Sequence, residues 1–247
     1  MSGHSKWSTI KRKKGALDAK RSKLFSRIVK EIQIAVKEGG IDADGNPRLR
    51  LAMNNAKGAN MPKDNVERAI SKAASEGDNL AEITFEGYGP NGIAFFIECL
   101  SDNNQRTVSE VRAVFNKRGG NLGTNGSLSF MFDRKGVFSI QKGNFDIDEF
   151  ELEMIDAGAE EFEIEEDKID ITCALEDFGN VQKKLEELNI EAENAELQRI
   201  PTDTKILDIE DAKQILAMID AFEDLDDVQN VFHNLEMTDE LANAISE

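Results

Sequence analysis

Histidine is nearly absent from this chain. His4 and His233 are the only two among 247 residues, so no histidine pair stands at metal-ligand spacing and no Ser-His-Asp arrangement can be assembled. Enzymatic chemistry is therefore not expected, and neither is a metal or cofactor. His233 stands beside Phe232 at helical spacing and reads as a residue of a surface helix. Cysteine is equally scarce, and Cys99 and Cys173 each lie inside an apolar, strand-like run, as reduced core thiols do. No apolar run approaches the roughly 20 residues needed to span a bilayer. The segment Met1-Ser2-Gly3-His4-Ser5-Lys6-Trp7 also lacks the apolar stretch of a secretion signal. A cytosolic chain without a membrane partner is expected, and the same reading expects a monomer.

Basic charge is the minority sign, with 30 Lys and Arg against 48 Asp and Glu, and it is unevenly spread. The first thirty residues hold ten Lys or Arg and one acid, Asp18. Residues 1–80 carry 17 basic against 9 acidic side chains, whereas residues 81–247 carry 13 against 39. A basic end on an acidic chain binds a polyanion in one orientation, so nucleic acid is the expected partner.

Residues 1–15 are basic and poor in aliphatics, and read as an arm that orders on a partner. From Ala16 the spacing is helical, with Phe25, Ile28, Val29, Ile32 and Val36 forming one apolar stripe up to Gly39-Gly40. Lys20, Lys23, Arg27 and Lys30 fall within an arc of about 80° opposite that stripe. Ile34 falls on the basic side, against the pattern. The turn Asp42-Ala43-Asp44-Gly45 precedes Asn46-Pro47, an N-cap with proline at the first helical position. It is not a calcium loop, because Pro47 and Met53 replace the required glycine and glutamate. The second helix buries Leu49, Ala52, Met53 and Ala56, sets Arg50, Asn54 and Lys57 on another face, and stops at Gly58. Pro62 opens a third helix with Val66, Ala69, Ile70 and Ala73 inside. Together the three imply a compact helical bundle.

Strand periodicity begins after Gly77-Asp78. Ile83 to Tyr88 and Ile93 to Leu100 read as a hairpin, followed by a helix from Arg106 to Lys117, a loop from Gly119 to Gly126 and a strand from Ser127 to Phe132. Next come a strand (137–141), a helix (148–157), a hairpin (162–166 and 169–174), a helix (175–188) and a strand (192–200), which is the split βαβ, ferredoxin-like order. Two acidic helices, about 208–222 and 225–235, close the chain. The expected fold class is α+β in three domains: an N-terminal basic arm and helical bundle (1–80), followed by two ferredoxin-like α+β domains, one discontinuous (81–134 and 205–247) and the other (135–204) inserted into it.

The repeated G-x-x-G spacing of Gly119, Gly120, Gly123 and Gly126 allows either a tight connecting loop or a phosphate cradle. Its helix-loop-strand context is the reverse of a dinucleotide site and favours the connecting loop. The run Lys11-Arg12-Lys13-Lys14, with Trp7 and His4 interleaved and continued onto a helix face, suits phosphate neutralisation with stacking on unpaired bases. Trp7 could equally staple the arm to the bundle.

The same segments carry a resemblance. Gly3-His4-Ser5-Lys6-Trp7, Asp18-Ala19-Lys20-Arg21, Asn46-Pro47-Arg48-Leu49-Arg50 and Ala59-Asn60-Met61-Pro62 are similar to the YebC/PmpR family. Glu86-Gly87-Tyr88-Gly89-Pro90, Asp102-Asn103 with Arg106-Thr107, Gly119-Gly120-Asn121-Leu122-Gly123 and Asp226-Asp227-Val228-Gln229 extend it nearly end to end, residues 135–204 matching least distinctively. The resemblance implies a three-domain, non-enzymatic cytoplasmic regulator. It points to a DNA-binding transcriptional regulator, or alternatively to a ribosome-associated translation factor that contacts ribosomal RNA. No Arg- and Ser-rich extension precedes the first motif, so a mitochondrial address is not expected. The candidate nucleic-acid contacts are His4, Lys6, Trp7, Lys11, Arg12, Lys13, Lys14, Lys20, Arg21, Lys23, Arg27, Lys30, Arg48, Arg50 and Lys57.

Overall fold

The structure is a computed structural model and describes residues 17–76 and 79–246. In chain order its elements begin with α1 Leu17–Gly39, α2 Pro47–Gly58, α3 Lys63–Glu76, β1 Ala81–Tyr88, β2 Ala94–Ser101, α4 Asn104–Lys117, β3 Asn121–Leu122 and β4 Phe132–Gln141. They continue with α5 Ile147–Asp156, β5 Ala159–Ile164, β6 Lys168–Ala174, α6 Phe178–Glu187, β7 Ala192–Pro201, α7 Ile209–Glu223, β8 Val228–His233 and α8 Asp239–Ser246. The class is α+β. The described residues fall into two compact units, one built from the chain up to Lys30 with 78–133 and 199–247, the other from 31–77 and 134–198.

In the first unit the strands run in the order β3-β1-β2-β8, with the β1–β2 hairpin at the centre. Strand β2 reads as a nearly continuous apolar run because both of its faces are covered. Phe95, Ile97 and Cys99 join a core with Phe115 of α4 and Ile215, Ile219 and Phe222 of α7. Ala94 and Phe96 pack instead with Leu128, Phe132 and Phe232. Three rings anchor the first core, with centroids 4.8 Å apart for Phe115–Phe222 and 5.6 Å for Phe95–Phe222. Such pairs add about 0.5–1.5 kcal/mol each beyond the area they bury.

In the second unit the order is β5-β6-β4-β7, the split βαβ arrangement expected for this stretch. Phe138 lies opposite Ile171, which also pairs with Phe162, and Phe150, Met154, Val181 and Leu185 from the two helices cover that face. The ferredoxin-like wiring belongs to this sheet alone. The first sheet places a hairpin at its centre, where the split βαβ unit places two strands that are not consecutive.

Within the second unit, helix α2 is tied to β7. The Asn55 side chain exchanges both of its amide hydrogen bonds with the backbone of Ala195, at 2.8 and 2.9 Å. A Cβ at Gly58 would stand 1.8 Å from the Glu193 carbonyl oxygen, so only glycine permits this approach. Asn46 caps α2 as its sequence predicts, accepting from the Leu49 amide at 3.0 Å. Its own amide group donates to the Ala35 and Gly40 carbonyls, fixing the turn after α1.

Three local expectations are corrected. The segment expected as a helix over 225–235 contains strand β8, because β2 has a free antiparallel edge that Val228, Val231 and Phe232 fill. His233 is accordingly a buried strand residue, not a surface helical one. The strand expected over 127–132 is a single turn, Ser129–Met131, and extended backbone starts only at Phe132. Ile34 is 3% exposed and buried together with Ile32, Ala35 and Val36, so it is a core residue of α1 although its spacing sets it on the basic side.

Candidate nucleic-acid interface

Lys23, Arg27 and Lys30 share one face of α1, as their spacing requires. In the first unit that face meets the end of α7 and the residues after it. Lys23 pairs with Asp224, and the Arg27 guanidinium donates to the Glu223 carbonyl at 3.4 Å. Lys30 is more deeply engaged. Its ammonium donates to the Leu100 carbonyl at 3.0 Å, the Asp226 carbonyl at 2.9 Å and the Asp227 carboxylate at 2.8 Å. An ammonium has three donors, and all three are used.

Asp227 is the hub of this cluster. Its second oxygen accepts from Arg106 at 2.7 Å, the Thr107 hydroxyl at 2.8 Å and the Ser101 hydroxyl at 2.9 Å. Arg106 also pairs with Asp102, while the Asn103 side chain caps α4 through the Arg106 amide. Burial alone would raise the Asp227 carboxyl. The hydrogen bonds from Lys30, Arg106, Thr107 and Ser101 outweigh it and hold the group well below the usual carboxylate range. Nearby, burial first and then the Asp227 charge push the Cys99 thiol up to about 12, so it is an inert core group.

The remaining candidates are scattered. His4, Lys6, Trp7, Lys11, Arg12, Lys13 and Lys14 lie outside the described residues, as does the side chain of Lys20. The Arg21 guanidinium sits 5.3 Å from the Phe25 ring centre. In the second unit Arg48 bridges Glu31 and Glu38, Lys57 pairs with Glu191 at 2.5 Å, and Arg50 is exposed. The structure thus joins Lys23, Arg27 and Lys30 on one face of α1 in the first unit, and in the second it keeps Arg50 and Lys57 on one face of α2 while Arg48 is engaged by Glu31 and Glu38. Among the described residues no group of three or more His, Cys, Asp or Glu is placed to hold a metal ion, and no helix is long and apolar enough to cross a membrane.

The glycine loop is a connector whose anion is internal. The buried Glu86 carboxylate accepts from the Gly126 amide at 2.7 Å and the Leu128 amide at 2.5 Å, and the Glu86 carbonyl accepts from Gly123 at 2.7 Å. Those amides face inward, and a bound phosphate would have to displace Glu86 to reach them.

Apart from Lys30, the Asp227 cluster is absent from the candidates read from sequence. One signal did exist: Thr107 occupies the same apolar stripe of α4 as Val111 and Phe115, and a polar residue there requires a buried partner.

Comparison with known proteins fits both units. A family model described as the TACO1/YebC protein N-terminal domain matches residues 5–76, and one described as the TACO1/YebC second and third domain matches residues 80–235. The chain belongs to the TACO1/YebC family. Its relatives in the family include a "Probable transcriptional regulatory protein" of Amoebophilus asiaticus, 49% identical over 95% of this chain and 98% of that protein. A protein of the same description from Idiomarina loihiensis is 46% identical over 98% of both chains. The crystal structure of a conserved hypothetical protein from Aquifex aeolicus is also similar, with a TM-score of 0.83, 40% identity and coverage of 92% of this chain and 94% of that one.

Proposed function

We propose that this chain is a nucleic-acid-binding regulator that acts on DNA as a transcriptional regulator, through its basic N-terminal arm and helical segment. The charge partition carries the reading: 17 basic against 9 acidic side chains in residues 1–80, and 13 against 39 beyond. The description of the relatives as probable transcriptional regulatory proteins supports it. Residues 1–80 are then the binding module, and the two acidic α+β segments orient it by repelling phosphate. The contact set centres on His4, Lys6, Trp7, Lys11, Arg12, Lys13, Lys14, Lys20 and Arg21, with Arg50 as an exposed cation. Lys30 is assigned a structural role because its donors are filled.

A second reading, a translation factor that contacts ribosomal RNA, is favoured by one observation. Several basic side chains of the described N-terminal helices are paired with acids or carbonyls, so these helices lack the free row of side chains that major-groove reading uses. Crosslinking in cells followed by sequencing of the attached nucleic acid tests both. Promoter DNA is the expected recovery, ribosomal RNA would favour the second reading, and recovery of neither would overturn both.

A further inference from the structure

Beyond residue 80 the chain is strongly acidic, yet Asn104 to Met131 carries four basic side chains, Arg106, Arg112, Lys117 and Arg118, and one acid, Glu110. Arg106 is engaged by Asp227 and Asp102. Arg112, Lys117 and Arg118 are exposed and have no carboxylate partner among the described residues. This island sits beside the two most accessible rings of the first unit outside α1. Phe130 is 75% exposed and Tyr88 43%.

The chain brings these groups together by a short route. Tyr88 lies opposite Asn121 in the β1–β3 pairing, three residues after Arg118. Its hydroxyl is 3.9 Å from the Met131 sulfur, next to Phe130. Both sides of the Phe130 turn are fixed: the Leu128 amide donates to Glu86, and the Met131 carbonyl accepts from the Thr202 amide at 2.9 Å. Gly126, at φ +85°, makes the bend that Glu86 holds. An aromatic ring held out into water by a rigid turn loses little freedom on binding. Around it, Asn121, Thr124 and Asn125 offer exposed polar groups.

We infer that Phe130 and Tyr88, with Arg118, Lys117 and Arg112, form a second nucleic-acid contact that takes unpaired bases of a single strand or loop. The rings supply stacking faces, and the cations meet the flanking phosphates. A protein partner is disfavoured because the apolar exposure is limited to the Phe130 and Tyr88 rings, with Arg112, Lys117 and Arg118 exposed on the adjoining helix and its end, rather than one broad apolar patch. Duplex DNA does not fit, since its bases are already stacked. The inference rests on the nucleic-acid reading above and adds to it a preference for unpaired bases, carried by residues other than those of the arm.

The test uses the full chain with a labelled short oligouridine and a labelled duplex, followed by fluorescence anisotropy. Phe130→Ala is expected to weaken oligouridine binding roughly five- to a hundredfold. Duplex binding, the salt dependence and the melting temperature should stay unchanged, and Phe130→Tyr should restore the affinity. Wild-type affinity of Phe130→Ala for oligouridine, or equal loss on both probes, would overturn the second contact. The pair Lys13→Ala and Lys14→Ala separates the two ideas. If that pair weakens both probes while Phe130→Ala changes neither, the arm reading stands and this contact falls. If the wild-type chain binds neither probe at low salt, the nucleic-acid reading fails and takes this contact with it.

Discussion

Thr107 is one methyl and one hydroxyl on an otherwise apolar helix stripe, and that hydroxyl helps to tie three stretches of the first unit to Asp227. Lys30 arrives from α1, Ser101 from the end of β2, and Arg106 and Thr107 from the first turn of α4. Removing one charge from such a cluster leaves the others partly unmet. Lys30→Met is therefore expected to cost about 1.5–3 kcal/mol, the usual weight of a hydrogen bond to a charged group. At this chain length that corresponds to about 2–4 °C of melting temperature per kcal/mol. The pH dependence has a definite sign. The folded carboxyl of Asp227 is depressed below its unfolded value of about 3.9, so its contribution is complete above that pH and is lost as pH falls below it. Asp227→Asn should lower stability at neutral pH and flatten the loss between neutral pH and the acid range, as followed by urea unfolding. An unchanged acid limb in that variant would show that other carboxylates carry the acid sensitivity.

Elements were legible where periodicity and caps agreed. Asn46-Pro47 opens α2, the ferredoxin-like order of β4 to β7 was readable from strand and helix lengths, and the connecting role of the glycine loop followed from its context. Strand β8 was not legible, because Asp226-Asp227 and a short apolar run suit a helix as well as a strand. Its state is decided by the open edge of β2, a partner more than a hundred residues away in sequence. Glu86 was equally silent: in a strand it reads as one more exposed acid, while in the fold it is 2% exposed and faces the loop amides. Glu86→Ala would strand the buried Leu128 amide, at about 1–3 kcal/mol, and release the more accessible Gly126 amide to water. Hydrogen exchange should then accelerate through residues 119–131 more than in α7, which keeps its own bonds. Even acceleration across the chain would mean that Glu86 supports the whole unit rather than the loop.

At the scale of the whole molecule the candidate site divides between what the sequence shows and what folding uses up. The arm residues 11–14 are legible as a basic run. The continuation of that run onto α1 was expected to meet phosphate through Lys23, Arg27 and Lys30, and the fold gives those side chains the Asp224 carboxylate, the Glu223 backbone carbonyl and the Asp227 carboxylate instead. Sequence spacing shows which side chains share a face, but it cannot show which segment of the same chain covers that face. The difference is measurable through counterion release. If the seven cations of the contact set, Lys6, Lys11, Arg12, Lys13, Lys14, Lys20 and Arg21, meet phosphates while Lys23 and Arg27 keep their partners, the slope of log K against log salt on B-DNA should be about −6.3. Release of Lys23 and Arg27 as well would steepen it to about −8.1. Anisotropy titrations across a salt series distinguish the two, and paired variants identify the source. Lys13→Ala with Lys14→Ala should flatten the slope by about 1.8, whereas Lys23→Ala with Arg27→Ala should leave it unchanged. If the second pair flattens the slope as much as the first, α1 exchanges Asp224 and Glu223 for phosphate on binding, and the acidic segment after α7 competes with nucleic acid for the same cations.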